Sequence, residues 1–172
     1  FSAVDYIVVE DTSEHPDWTT VAADIYLRSL YKKASINRSF DPSEKYGDFY
    51  GLIKQLAGKG LYDGKLLRDY SKEEIKELGK LIDPKKDELF TYIGIKSLSD
   101  RYLTNDHEGN VYELPQERYL IIAMALMREE AKHQRIHLVE EFYWALSNQY
   151  MTVATPTLSN AGKSHGQLSS CF

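Results

Sequence analysis

IHLVEEFYWALSNQYMTVATPTLSNAGKSHGQLSSCF, residues 136–172, changes its hydrophobic period once, and that change sets the expected fold. Up to Leu146 the apolar residues Ile136, Val139, Tyr143 and Leu146 recur on one helical face. After Ser147-Asn148-Gln149 the spacing becomes strand-like. Met151, Val153 and Ala154 form an apolar run that stops at Thr155-Pro156-Thr157. A turn follows through Asn160-Ala161-Gly162 and the polar Lys163 to Gly166 stretch, and the apolar pattern resumes from Leu168 to Phe172. The expectation is strand, turn, strand, with hydroxyls and one thiol along it.

Upstream the signals are helical. Pro115 opens a strongly apolar helix through Tyr119, Leu120, Ile121, Ala123, Met124 and Met127, and the polar break Arg128 to Lys132 leads into the helix that carries Ile136. Asp106 to Asn110, flanked by Tyr102-Leu103 and Val111-Tyr112, reads as a small hairpin. Asp83 is placed to cap and Pro84 to start a helix whose apolar face is Phe90, Ile93, Leu98 and Tyr102, ending near Leu103. Ser71-Lys72-Glu73-Glu74 fits a capping box ahead of Ile75 and Leu78. Phe49, Leu52, Ile53 and Leu56 form another face, stopped by Gly58-Lys59-Gly60. The first helix is expected from Asp17 to about Lys33 on Trp18, Val21, Ala22, Ile25, Ser29 and Leu30, followed by a loop from Ser35 to Asp48. About six helices precede the strand-turn-strand, so the fold is expected to be mainly α.

A chain of 172 residues is one domain, or one domain with part of a second. Its 21 Lys and Arg against 26 Asp and Glu are scattered, without the basic clusters that nucleic-acid binding needs. No apolar run approaches the roughly 20 residues of a membrane span, and no signal peptide opens the chain, so a cytoplasmic protein without a membrane partner is expected. FSAVDYIVVE begins without an initiator methionine, as expected of a piece of a longer chain.

The single cysteine, Cys171, is open to three readings: structural, reactive, or paired with a cysteine on another polypeptide. Thr155, Thr157, Ser170 and Cys171 would place small hydrogen-bonding groups at one end of a sheet, where they can hold hydroxyls and phosphate oxygens, though such a stretch is also ordinary structure. His133 and His137 are four apart on a helix, but no third ligand is spaced to join them, so they read as a solvated face, as do Glu129-Glu130 and Glu140-Glu141. The Lys163 to Gly166 loop reads as an exposed turn before it reads as a phosphate contact. Most of the thirteen tyrosines fall at helical apolar spacings and are assigned to packing rather than to radical transfer.

ATPTLSNAG, residues 154–162, then a short basic spacer and QLSSCF, residues 167–172, resembles the start of the catalytic barrel in the large subunit of ribonucleotide reductase. Pro16-Asp17-Trp18, Ala22-Ala23, Gly60-Leu61-Tyr62-Asp63, Leu67-Arg68-Asp69-Tyr70-Ser71, Tyr102-Leu103 and Glu113-Leu114-Pro115-Gln116-Glu117 are similar to that family's helical N-terminal domain. The resemblance covers nearly the whole chain and is weakest from Ser35 to Gly47. It implies an all-α domain over residues 1–149 and the first strands of an incomplete α/β barrel over residues 150–172.

The resemblance also implies a reaction, the radical reduction of ribonucleoside diphosphates to deoxyribonucleotides. Cys171 would be one of two redox-active cysteines, forming a disulfide with a cysteine beyond residue 172. Ala154, Thr155 and Ser170 would contact substrate, with Thr157 ranked after them. No metal or cofactor is expected on this segment. The radical would come from a metal-containing small subunit, nucleotide effectors would bind elsewhere, and thioredoxin or glutaredoxin would be the reductant. With the rest of the barrel supplied by later sequence, the segment alone is expected to be silent. The cobalamin-dependent reductases share the barrel motif and are the nearest alternative; a non-catalytic helical interaction module is the alternative outside enzymes.

Overall fold

The computed structural model describes residues 17–169. Among them run eight α-helices: α1 (Trp18–Arg38), α2 (Phe49–Gly58), α3 (Lys65–Asp69), α4 (Lys72–Gly79), α5 (Tyr92–Arg101), α6 (Pro115–Met127), α7 (Lys132–Ser147) and α8 (Thr155–Asn160). Two 3-10 helices, Pro42–Glu44 and Pro84–Leu89, lie between them. The mainly α expectation therefore holds. Extended pairing among the described residues is limited to the isolated bridges Tyr62 with Lys163 and Asn105 with Val111.

α6 organises the molecule because it is apolar on every side, and such a helix has to be enclosed. Leu120, Ile121 and Met124 join the larger core cluster with Phe49, Leu52, Ile53 and Leu56 of α2, Ile75 and Leu78 of α4 and Val139 and Tyr143 of α7. A second cluster packs α1 on α5 through Ala22, Ala23, Leu27, Leu30, Ile95 and Leu98, and reaches Leu114 at the head of α6. Ile122 faces a third side, toward Leu146 and Ala161. Each fully buried aliphatic side chain contributes about 1.5–3 kcal/mol.

Several local signals form as their chemistry dictates. Ser71 Oγ accepts from Glu74 N at 3.1 Å while Glu74 accepts from Ser71 N at 2.6 Å, the two halves of a capping box. α2 ends with Leu61 N donating to Leu56 O at 2.9 Å and Gly60 N to Ala57 O at 3.0 Å, with Gly60 at φ +72°. That pair of bonds is a Schellman closure, and it needs a residue that tolerates the left-handed region.

The structure corrects several expectations. Thr155–Asn160 is a helix, not a strand running into a turn. Pro156 sits in its first turn, where a missing N–H removes nothing, and Leu158 N donates to Ala154 O at 2.9 Å. A run this short cannot separate a strand period from a helix start by hydrophobicity. Leu168 and Ser169 belong to no strand, and Ser170, Cys171 and Phe172 lie outside the described residues.

The helix expected from Pro84 to Leu103 is divided at Phe90 and Thr91, where Thr91 Oγ1 accepts from Gly94 N and starts α5 afresh. Restarting there turns Tyr92 and Ile95 inward and leaves Ile93 72% exposed. The buried face of α1 is likewise displaced from the expected one. Ala22, Ala23, Leu27, Leu30, Tyr31 and Ala34 are buried, whereas Val21 and Ile25 are more than 40% exposed. Small residues in that stripe let α1 lie close on α5. α1 also runs on to Arg38, into what was expected to be loop, and Asp17 makes no side-chain cap.

The first turn of α6 is polar yet wholly buried: Gln116, Glu117 and Arg118 each have no exposure. Arg38 Nη1 donates to both Glu117 oxygens at 2.8 and 2.9 Å, and Leu114 N donates to Glu117 Oε2 at 2.9 Å. Gln116 Nε2 donates to Asp87 Oδ1 at 2.7 Å, while the Tyr31 and Tyr46 hydroxyls donate to Asp87 Oδ2 at 2.6 and 2.7 Å. Tyr143 completes the set by donating to Gln116 Oε1 at 3.2 Å. Buried polar groups are tolerated only when bonded in this way.

Two outcomes follow from this packing. Leu30→Ala should lower unfolding free energy by about 2–5 kcal/mol and Ile25→Ala by less than about 1 kcal/mol, measured by urea denaturation. Equal losses would contradict the displaced face. Burial also pushes the Glu117 carboxyl from 4.5 up to about 7 against the pull of Arg38. A raised carboxyl binds its proton more tightly in the folded chain, so its contribution is complete below about 4.5 and is lost as pH rises through about 7. Relative to Glu117→Gln, the unaltered chain should lose stability between pH 5 and pH 8. A gain over that interval would contradict the assignment.

Candidate functional site

Of the residues singled out for substrate contact, the structure describes Ala154, Thr155 and Thr157; Ser170 and Cys171 lie outside the described residues. Ala154 is the extended residue entering α8 (φ −57°, ψ 149°), and Thr155 begins the helix; both are exposed. The Thr155 hydroxyl meets no hydrogen-bond partner among the described residues, which leaves it able to donate and accept. Thr157 is half-buried, and its hydroxyl donates to Leu168 O at 3.2 Å, so it serves the turn.

α8 folds back on the stretch that leads to Cys171. Asn160 Nδ2 donates to Gln167 O at 2.9 Å, parallel to the Thr157 bond, and ties the outgoing residues 167–168 to the helix. Gly162 takes φ +76°, and a Cβ there would sit 2.4 Å from Ile121 Cγ2, so only glycine lets the turn settle on α6. Asp63 N donates to Gly162 O at 2.9 Å and Ser164 N to Leu61 O at 3.1 Å on either side of the Tyr62–Lys163 bridge.

A charged group lies beneath the turn. Arg118, fully enclosed, donates from Nη1 to Glu113 Oε1 at 3.2 Å and from Nη2 to Ala161 O. Glu113, also fully enclosed, accepts from Thr104 N at 2.7 Å and from the Tyr62 hydroxyl. Burial, then the neighbouring Glu113 charge, push the Tyr62 phenol far above its ordinary value, so it remains a donor. Lys163 Nζ donates to Tyr102 O at 2.9 Å. Burial lowers the Lys163 ammonium, while the Glu113 carboxylate acts in the other direction.

Lys163 is therefore engaged inward rather than offered to phosphate. His133 and His137 are exposed on α7, with His137 Nε2 3.3 Å from Glu141 Oε1. Among the described residues no three His, Cys, Asp or Glu side chains come together as a metal ion requires. No helix there is long and apolar enough to cross a membrane.

Sequence reading missed Arg118, Glu113, Tyr62 and Lys163 as one group. The available signal was a helix that is apolar all round after its first turn yet begins Pro115-Gln116-Glu117-Arg118: once such a helix is enclosed, its first-turn charges are enclosed with it.

Residues 88–166 match the family model described as "Ribonucleotide reductase, all-alpha domain". The "Ribonucleoside-diphosphate reductase subunit alpha" of Helicobacter pylori is 36% identical over 99% of this chain, which covers 20% of that protein. The protein of the same name from Treponema pallidum is 36% identical over 92% of this chain and 18% of its own length. In Escherichia coli the "Ribonucleoside-diphosphate reductase 1 subunit alpha" is 32% identical over 91% of this chain and 20% of its own length. The chain thus spans about one fifth of the curated relatives it matches. Over nearly its whole length the chain is thus similar to a part of ribonucleoside-diphosphate reductase alpha subunits, and over residues 88–166 to the all-alpha domain of ribonucleotide reductase.

Proposed function

We propose that the chain is part of a ribonucleoside-diphosphate reductase alpha subunit, in which it supplies helical support, part of the substrate pocket and one redox thiol. The observation that carries this reading is the alignment over 99% of the chain with a protein bearing that name. It is supported by the arrangement of α8, where an outward Thr155 hydroxyl stands on the helix that bonds back to residues 167 and 168, just ahead of Ser170 and Cys171. Residues 1–149 would be the helical domain and residues 150–172 the entry to the barrel.

In this reading the Ala154 backbone, Thr155 and Ser170 hold the sugar and diphosphate by neutral hydrogen bonds. Thr157 supports them from behind. Cys171 acts with a cysteine from later sequence: the two thiols give up two protons and two electrons and become a disulfide, while the substrate 2'-hydroxyl leaves as water. The disulfide is reopened by thiol–disulfide exchange: a thiolate of thioredoxin or glutaredoxin attacks one sulfur, the other leaves as a thiolate, and a second reductant thiol resolves the mixed disulfide. A metal-containing small subunit supplies the radical, and the reducing surroundings of a thiol pair fit the cytoplasm.

Cys171→Ser in the full-length alpha subunit, assayed with its small subunit and a dithiol reductant, should abolish dithiol-dependent turnover while nucleotide binding stays within about twofold of the unaltered protein. Normal turnover would remove the assignment.

A further inference from the structure

α8 is only six residues long and has no fully buried residue; Leu158 packs against two core clusters, but one partly buried side chain leaves the backbone beyond it free to settle in more than one way. Its position is set at the following turn, by bonds that come from well-separated parts of the chain. Arg118 reaches Ala161 O from α6, Asp63 N reaches Gly162 O, and Lys163 reaches back to Tyr102 O. Arg118 and Lys163 both lie within the field of Glu113, which is itself held by Tyr62 and Thr104 N.

This is a poor arrangement for stability alone. An enclosed ion pair gains little over apolar side chains of similar volume. Here Arg118 Nε and Thr104 Oγ1 also find no partner among the described residues. What a charged, directional clamp provides and apolar packing does not is a single placement of the backbone it holds.

We propose that Arg118 and Lys163 are positioning residues for the nucleotide site: through Glu113 and the Ala161 and Tyr102 carbonyls they fix the Asn160–Ser164 turn on α6, and so set the placement of Thr155 and of the segment leading to Ser170 and Cys171. The inference rests on the function proposed above. It adds that substrate affinity in this subunit depends on two side chains that face away from substrate.

The test uses the full-length alpha subunit with its radical-generating partner and a dithiol reductant. Lys163→Met and Arg118→Lys should each raise KM for a ribonucleoside diphosphate by about tenfold, with a smaller change in kcat, because misplacing a contact residue by about an ångström is costly. Tyr31→Phe is the control. It removes an equally buried bond, the 2.6 Å bond to Asp87, on the other core cluster, and should lower Tm while leaving KM unchanged. Lys163 is only half-buried, so its variant carries the test if Arg118→Lys does not fold. Unchanged KM in the Lys163 variant, with turnover intact, would overturn the inference alone. Absence of diphosphate reduction by the unaltered subunit would remove the underlying reading and the inference with it.

Discussion

The enclosed first turn of α6 is the constraint on which the rest depends. Gln116, Glu117 and Arg118 follow one another at zero exposure, with Glu113 just ahead of them, and each must find a partner inside the protein. Their partners come from every direction: Arg38 at the end of α1, Asp87 in the 3-10 helix, Tyr143 on α7, and Ala161 beyond α8. Apolar clusters supply the bulk of the burial free energy, but they would accept small slips of one helix along another. The polar turn does not, because a slip would strand an enclosed charge, at about 3–5 kcal/mol when one partner of a buried pair is lost.

Under the proposed function, that constraint accounts for a short, surface helix carrying part of the site. α8 exposes Thr155 and shelters Thr157, and its footing is the Gly162 turn seated against Ile121. In the proposed function, site and fold share the same residues at this point. The group that orders the helical domain is also the one that touches the backbone leading to Cys171.

Much of this was legible in the sequence where the chemistry is local. Ser71 with Glu74, Gly60 after α2 and Pro115 at the head of α6 each act through neighbours a few residues away, so their patterns read directly. The misreadings have a shared cause, since they depend on what packs opposite. Val21, Ile25 and Ile93 have the spacing of a buried face, yet the close approach of α1 to α5 selects the alanine-bearing stripe instead. Thr155-Pro156-Thr157 reads as extended because the run is too short for period two and period 3.6 to differ, whereas the helix is secured by a turn that docks on α6. The clamp under that turn joins residues as far apart in sequence as Asp63 and Gly162, a separation that no local pattern encodes. The resemblance to the reductase family, by contrast, is carried by ATPTLSNAG and QLSSCF, which are read residue by residue rather than from a hydrophobic period.

The central claim is that the helical domain, through its enclosed polar turn, presents α8 to a nucleotide. A crystal structure of the full-length alpha subunit with a ribonucleoside diphosphate tests it most directly. The account predicts the Thr155 and Ser170 hydroxyls within about 3 Å of ligand oxygens, with Arg118 still bonded to the Ala161 carbonyl. A nucleotide bound away from both hydroxyls, or an α8 turn detached from Arg118 in that complex, would contradict it.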